Sequence, residues 1–222
     1  MTPMTPDLER AAIKATETII QYRISTAHVA PLPILQSIKG TMVLSYADAA
    51  QSIGLQRENL IALFGTGNQD AATFAREIKG KLCYIVIYNQ RLPFYMLQRA
   101  LARELGHIVL GYDGSRPEDV RMAEAVTFAR HLLCPRPLVQ ALRDAGLTIT
   151  VEMLGNITGC YERCLAGIRK TPGVYVPEAL NRAVREQFSA FVSNFVNCQC
   201  VLADADESAI ADFGSFMDNY RE

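Results

Sequence analysis

The residues with the clearest chemical content are Arg103-Glu104-Leu105-Gly106-His107, within the longer stretch Leu101 to Gly111. A His-Glu-x-x-His sequence on a helix sets two imidazoles at i and i+4 on one face, where they bind zinc. The Glu beside the first His then serves as general base. Here Glu104 and His107 are in register, and so is Gly106, which suits close helix packing. The first ligand position holds Arg103, whose guanidinium stays protonated and has no lone pair for a metal. The chemistry is that of a metal-activated hydrolytic site with one ligand replaced by a fixed cation.

A site of this type needs a helix to carry the motif and a second element to return a third ligand. Leu92 to Leu110 reads as the motif helix, closed by Gly111. Tyr112 to Pro117 reads as a turn, and Glu118 to Leu133 as a helix stopped by Cys134-Pro135. Upstream, Thr5, Pro6 and Asp7 form a helix start (cap, first-position proline, first-turn acid) for a helix to about Tyr22. A short helical segment near Pro33–Ile38 ends at Gly40. Thr41–Tyr46 and Leu82–Tyr88 read as strands, Leu60–Phe64 as a third strand or a short helix, and Thr66–Asp70 as loop. Further helices are expected at about Arg136–Ala145, through 151–169, and at about Pro177–Asn197 ahead of an acidic tail. Thr171-Pro172-Gly173 is the best linker, dividing 1–170 from a C-terminal helix and tail, 171–222.

Three ordered pieces of this chain resemble the ImmA/IrrE family of metallopeptidase-like proteins of bacteria, phages and mobile elements. Ala102-x-Glu104-Leu105-Gly106-His107-Ile108-x-Leu110 stands where that family has Ala-His-Glu-Leu-Gly-His-Ile-Leu-Leu. Glu124-Ala125-x-x-Phe128-Ala129-x-x-Leu132-Leu133-x-Pro135 is similar to its Glu-Ala-Asn-x-Phe-Ala-x-x-Leu-Leu-Met-Pro. Glu152 to Leu165 resembles its closing helices. The likeness spans roughly residues 5–170. It implies an α+β, helix-rich, zincin-like (gluzincin-type) metallopeptidase domain with a small sheet of about three strands. It also implies Glu124 as third metal ligand beside His107, and Glu104 as the base that would deprotonate a zinc-bound water.

The chain departs from the family at Arg103, at Val126 (usually Asn), at Cys134 (usually Met), and at Arg99-Ala100, where Phe-Thr is common. Losing one of three ligands, with a cation at the vacancy, leads us to expect weak or absent zinc. Arg103 is expected to fork onto Glu124 instead, or onto Glu104 if the helix is rotated, leaving a salt-bridged vestigial site. His131, two turns after Glu124, is the candidate replacement ligand, although a partly buried helix histidine is the plainer reading.

Three function classes follow. The favoured one is a catalytically impaired pseudopeptidase that binds a repressor-like protein partner. The alternatives are an active intracellular zinc endopeptidase cleaving such a regulator, and a DNA-binding transcriptional regulator. With a formal net charge of −1, direct nucleic-acid binding is not expected. A helix-turn-helix over 149–169, with Gly155 in its turn, is a minor reading. Glu104-x-x-His107 lacks the second such pair a di-iron bundle requires. No leader or membrane span is read from the sequence, so membrane association is not expected. Six cysteines in 222 residues suit a cytoplasmic protein with reduced thiols rather than a disulfide framework. Cys160 and Cys164 read as core thiols, and Cys198 and Cys200 as an exposed reducible pair.

Overall fold

The structure is a computed structural model that describes residues 4–54, 56, 70–111, 116–160 and 174–204. Its elements, in order, are α1 (Leu8–Gln21), α2 (Pro31–Ser37), β1 (Thr41–Ser45), α3 (Tyr46–Ile53), β2 (Ala71–Ile78), β3 (Lys81–Tyr88), α4 (Phe94–Leu110), α5 (Glu118–Leu133), α6 (Arg136–Asp144), α7 (Val151–Thr158) and α8 (Glu178–Asp204). This is an α+β architecture with a three-stranded mixed sheet of order β1-β3-β2. β1 runs parallel to β3, pairing Val43 with Val86, and β2 runs antiparallel to it, pairing Thr73 with Val86. No helix of the described residues is long and apolar enough to cross a membrane.

The motif helix forms where its pattern requires. Leu101, Leu105 and Ile108 fall on one stripe and enter the main core with Phe128, Leu132 and Leu133 of α5. α4 and α5 pack side by side, as expected, and Gly106 sets their closeness. A Cβ at that position would lie 3.0 Å from the Phe128 side chain and 3.2 Å from the Ala125 carbonyl. α1 lies across α5 through Ala11, Ala12 and Ala15, all without exposure, because small residues let the two backbones approach. α8 joins the same core through Val184 and Phe188, and Gln187 Nε2 donates to the carbonyls of Ile19 (2.8 Å) and Ile24 (2.6 Å).

Several expectations are corrected here. The third strand is Ala71–Ile78, a segment the sequence reading passed over; Leu60–Phe64 lies outside the described residues. Three alanines and a charged pair give β2 little strand propensity of its own. A hairpin imposes it, through Lys79 (φ 53°) and Gly80 (φ 72°), the doubly positive pair that matches strand twist. β1 stops at Ser45, which caps a further helix, α3. Ser45 Oγ accepts from the Asp48 N–H at 3.1 Å while the Asp48 carboxylate accepts from Ser45, a capping box. The cap of α1 is Asp7 rather than Thr5, accepting from the Arg10 N–H at 2.9 Å. Gly155 lies inside α7, not in a turn, which removes that piece of the helix-turn-helix reading; α7 ends at Thr158, and Cys160 follows as a buried thiol. α8 runs on to Asp204, past the expected end near Asn197. The linker 171–173, Cys164 and the tail from 205 fall outside the described residues.

Candidate functional site

α4 carries Arg103, Glu104 and His107 past the edge of the sheet, and β2 closes the site from the other side. Residues adjacent in a helix point about 100° apart, so Arg103 and Glu104 would not ordinarily meet. They meet here because β2 draws both toward it. The Arg103 terminal nitrogen donates to the Ala71 carbonyl at 3.1 Å, and Thr73 Oγ1 donates to Glu104 Oε2 at 2.7 Å. The guanidinium then closes on Glu104 Oε1 through Nε at 2.9 Å and a terminal nitrogen at 2.8 Å. Arg103 is 9 % exposed and Glu104 2 %, so this is a buried ion pair with both carboxylate oxygens engaged.

Arg103 thus takes the second of its two expected partners, Glu104, and the Arg103–Glu124 fork does not form. Glu124 has no exposed surface and is committed elsewhere. Its Oε1 accepts the Asp7 N–H at the start of α1 at 2.8 Å and a close contact from the Arg116 guanidinium. Its Oε2 is buried with no hydrogen-bond partner among the described residues. Arg10 donates to the Leu110 carbonyl at the end of α4, a cation at a helix C-terminus. Asp7 and Arg10 therefore dock the first turn of α1 onto both helices of the motif.

A cleft of about 270 Å³ opens beside the ion pair, lined by Thr73, Tyr84, Glu104, His107, Glu118 and Arg121 among others. Glu124 does not line it, and neither does His131, which faces a separate cavity by α8. The structure therefore groups Arg103, Glu104 and His107, and separates Glu124 and His131 from that cleft. Burial first, then the positive charges of Arg103 and Arg121, push His107 down to about 4, so its ring is neutral at physiological pH. Burial raises Glu104 above the usual carboxylate range, while Arg103 and Thr73 pull in the opposite direction.

The donor set does not fit a zinc ion. One ligand position is a guanidinium, the neighbouring carboxylate is bound on both oxygens, and Glu124 is held by Arg116 and Asp7. Among the described residues no three His, Cys, Asp or Glu gather to hold a metal. With Oε1 and Oε2 both accepting, Glu104 is also poorly placed to take a proton from water. What the arrangement can do is present the neutral His107 imidazole, the Arg121 guanidinium and the Tyr84 side chain to a bound group. At 270 Å³ the cleft lies below the roughly 300–1,000 Å³ of ordinary small-molecule sites, so it suits a side chain or a short peptide segment.

Sequence reasoning missed Thr73, Arg116 and Arg121. Thr73 sits on the unread strand. Arg116 precedes Pro117 at the entrance to α5, and only its tertiary contact with Glu124 gives it meaning. Arg121 had a legible signal, since it lies one turn after Glu118 on the helix already paired with the motif. No known protein-family model matches the chain, and no curated protein matches it.

Proposed function

We propose that this chain is a zincin-like pseudopeptidase of the ImmA/IrrE type, which binds a protein partner, a repressor-type regulator, without cutting it. The observation that carries the reading is the Arg103–Glu104 pair. The cation stands where the pattern calls for a metal ligand, and it holds the carboxylate that would have been the base. Further support comes from His107, whose neutral ring beside two arginines suits hydrogen bonding more than proton transfer at neutral pH. β2, an edge strand among the described residues, borders the cleft and offers backbone groups to an extended segment of the partner.

The test is the zinc content of the purified parent and of Arg103→His after identical loading and dialysis. The substitution restores His-Glu-x-x-His in one step. The parent is expected to retain no stoichiometric zinc, and the variant to gain zinc relative to it. One tightly held zinc per parent chain would overturn the pseudopeptidase reading and make the hydrolase reading the leading one.

A further inference from the structure

The motif cleft is not the roomiest site. A cavity of about 440 Å³ lies between the α5–α6 junction, α1 and the start of α8, within the size range of small-molecule sites. We propose that this cavity binds a small organic anion, a carboxylate or a phosphate monoester. Three observations converge on it.

The first is charge. Among the described residues that line the cavity, Arg136 and Arg185 are the cations and Glu178 the only acid, one net positive charge. Glu178 is already paired with Arg185. Arg136 acts on the cavity closely enough to be the leading charge felt by His131.

The second is His131 itself. Burial, then Arg136 and Arg130, push it down to about 4, so it is an uncharged ring at neutral pH. It lines the cavity and makes no hydrogen bond to any described residue. The ring is partly buried and borders the cavity. An oxyanion between Arg136 and His131 would take a charge-assisted bond from the first and a ring N–H from the second. Gln140 and Asn181 also line the cavity, each with an amide N–H already given within the fold, to the Asp144 carboxylate and to the Val176 carbonyl.

The third is shape. Pro135, Pro137, Val176 and Val184 supply apolar walls beside the polar end, the division of labour expected of a site for a molecule with an apolar body and a charged head. Because the walls come from α1, the α5–α6 junction and α8, the ligand would also tie the C-terminal helix to the rest of the fold.

The chain has three histidines, which makes the test direct. The imidazole NMR signals of uniformly labelled protein are followed at pH 7.5, with His131→Gln assigning one of them. Sodium phosphate and sodium benzoate are titrated separately, each against sodium chloride at matched ionic strength. The expected result is a saturable displacement of the His131 signal by at least one probe, with His28 and His107 unmoved. Arg136→Gln should weaken that binding by about ten- to a hundredfold, the loss of one charge-assisted contact. Saturation by phosphate alone assigns a phosphate ester, by benzoate alone a carboxylate, and by both an oxyanion of either kind. Unchanged His28 and His107 signals verify that the variant is folded. If Arg136→Gln does not fold, Arg185→Gln replaces it, with a measurable loss of affinity expected. No saturable displacement beyond that of chloride, or unaltered affinity in the folded variant, would overturn the proposal.

Discussion

Replacing Arg103 by Ala isolates the buried pair at the centre of the candidate site. The substitution removes two charge-assisted bonds to Glu104 Oε1, at 2.9 and 2.8 Å, and the donor to the Ala71 carbonyl at 3.1 Å. Glu104 keeps only Thr73, and at 2 % exposure water cannot replace what is lost. Removing one partner of a buried ion pair typically costs about 3–5 kcal/mol, because the other charge is left uncompensated. For a chain of this length that lowers Tm by roughly 6–20 °C. The pH dependence adds a second check. Without Arg103, only the Thr73 hydrogen bond opposes burial at Glu104, and its folded pKa rises further above the unfolded value of about 4.3. The variant is then relieved by protonation, so its deficit against the parent is largest above the raised folded value and shrinks as pH falls through it. His107 reinforces that trend, since Arg103 is one of the charges holding it down. The assay is urea unfolding of parent, Arg103→Ala and the double variant Arg103→Met/Glu104→Gln at pH 8 and pH 5. The double variant removes both charges while keeping an acceptor for Thr73, and it should recover most of the loss. A deficit below about 1 kcal/mol at pH 8, or one equal at the two pH values, would show that the pair is not the electrostatic lock described.

Three further outcomes are expected. Gly106→Ala should destabilise by about 1–3 kcal/mol in thermal unfolding, because the Ala125 backbone cannot yield to a Cβ at 3.2 Å and this outweighs the gain in helix propensity. Arg116→Ala should cost about 3–5 kcal/mol by urea unfolding, since Glu124 would keep only the Asp7 N–H; Arg116→Lys should recover part of it by restoring the charge. His107 and His131 both sit near 4 in the fold against about 6.5 unfolded, so the stability tied to their neutral rings is full above pH 6.5 and lost as pH falls toward 4, by up to about 3 kcal/mol each. Chemical unfolding across that window should therefore show a steep decline that is smaller in His131→Gln.

The motif helix, its partner helix and the strand before them were legible because their signals are local. The stripe Leu101, Leu105, Ile108 is a helical period, Leu82–Tyr88 is an apolar, β-branched run, and Gly106 beside a second periodic helix announces close packing. Glu104 and His107 were legible as a site for the same reason: their spacing on one helix is a property of the chain. What the chain could not display was which groups meet across it. β2 is a strand because β3 pairs with it through the Lys79-Gly80 turn, and its alanines carry little signal alone. The partner of Arg103 was open in the sequence between Glu124 and Glu104. The tertiary structure decided it by bringing Ala71 and Thr73 of that strand over the helix. Glu124 likewise passed to Asp7 and Arg116, one from far earlier in the chain and one from the loop just before it. A carboxylate's partner is set by which cation or N–H reaches it in three dimensions, and spacing along one helix does not contain that information. His131 is the same lesson in reverse: two turns from Glu124 by sequence, it faces another cavity because α6 and α8 fold up against its side of the helix.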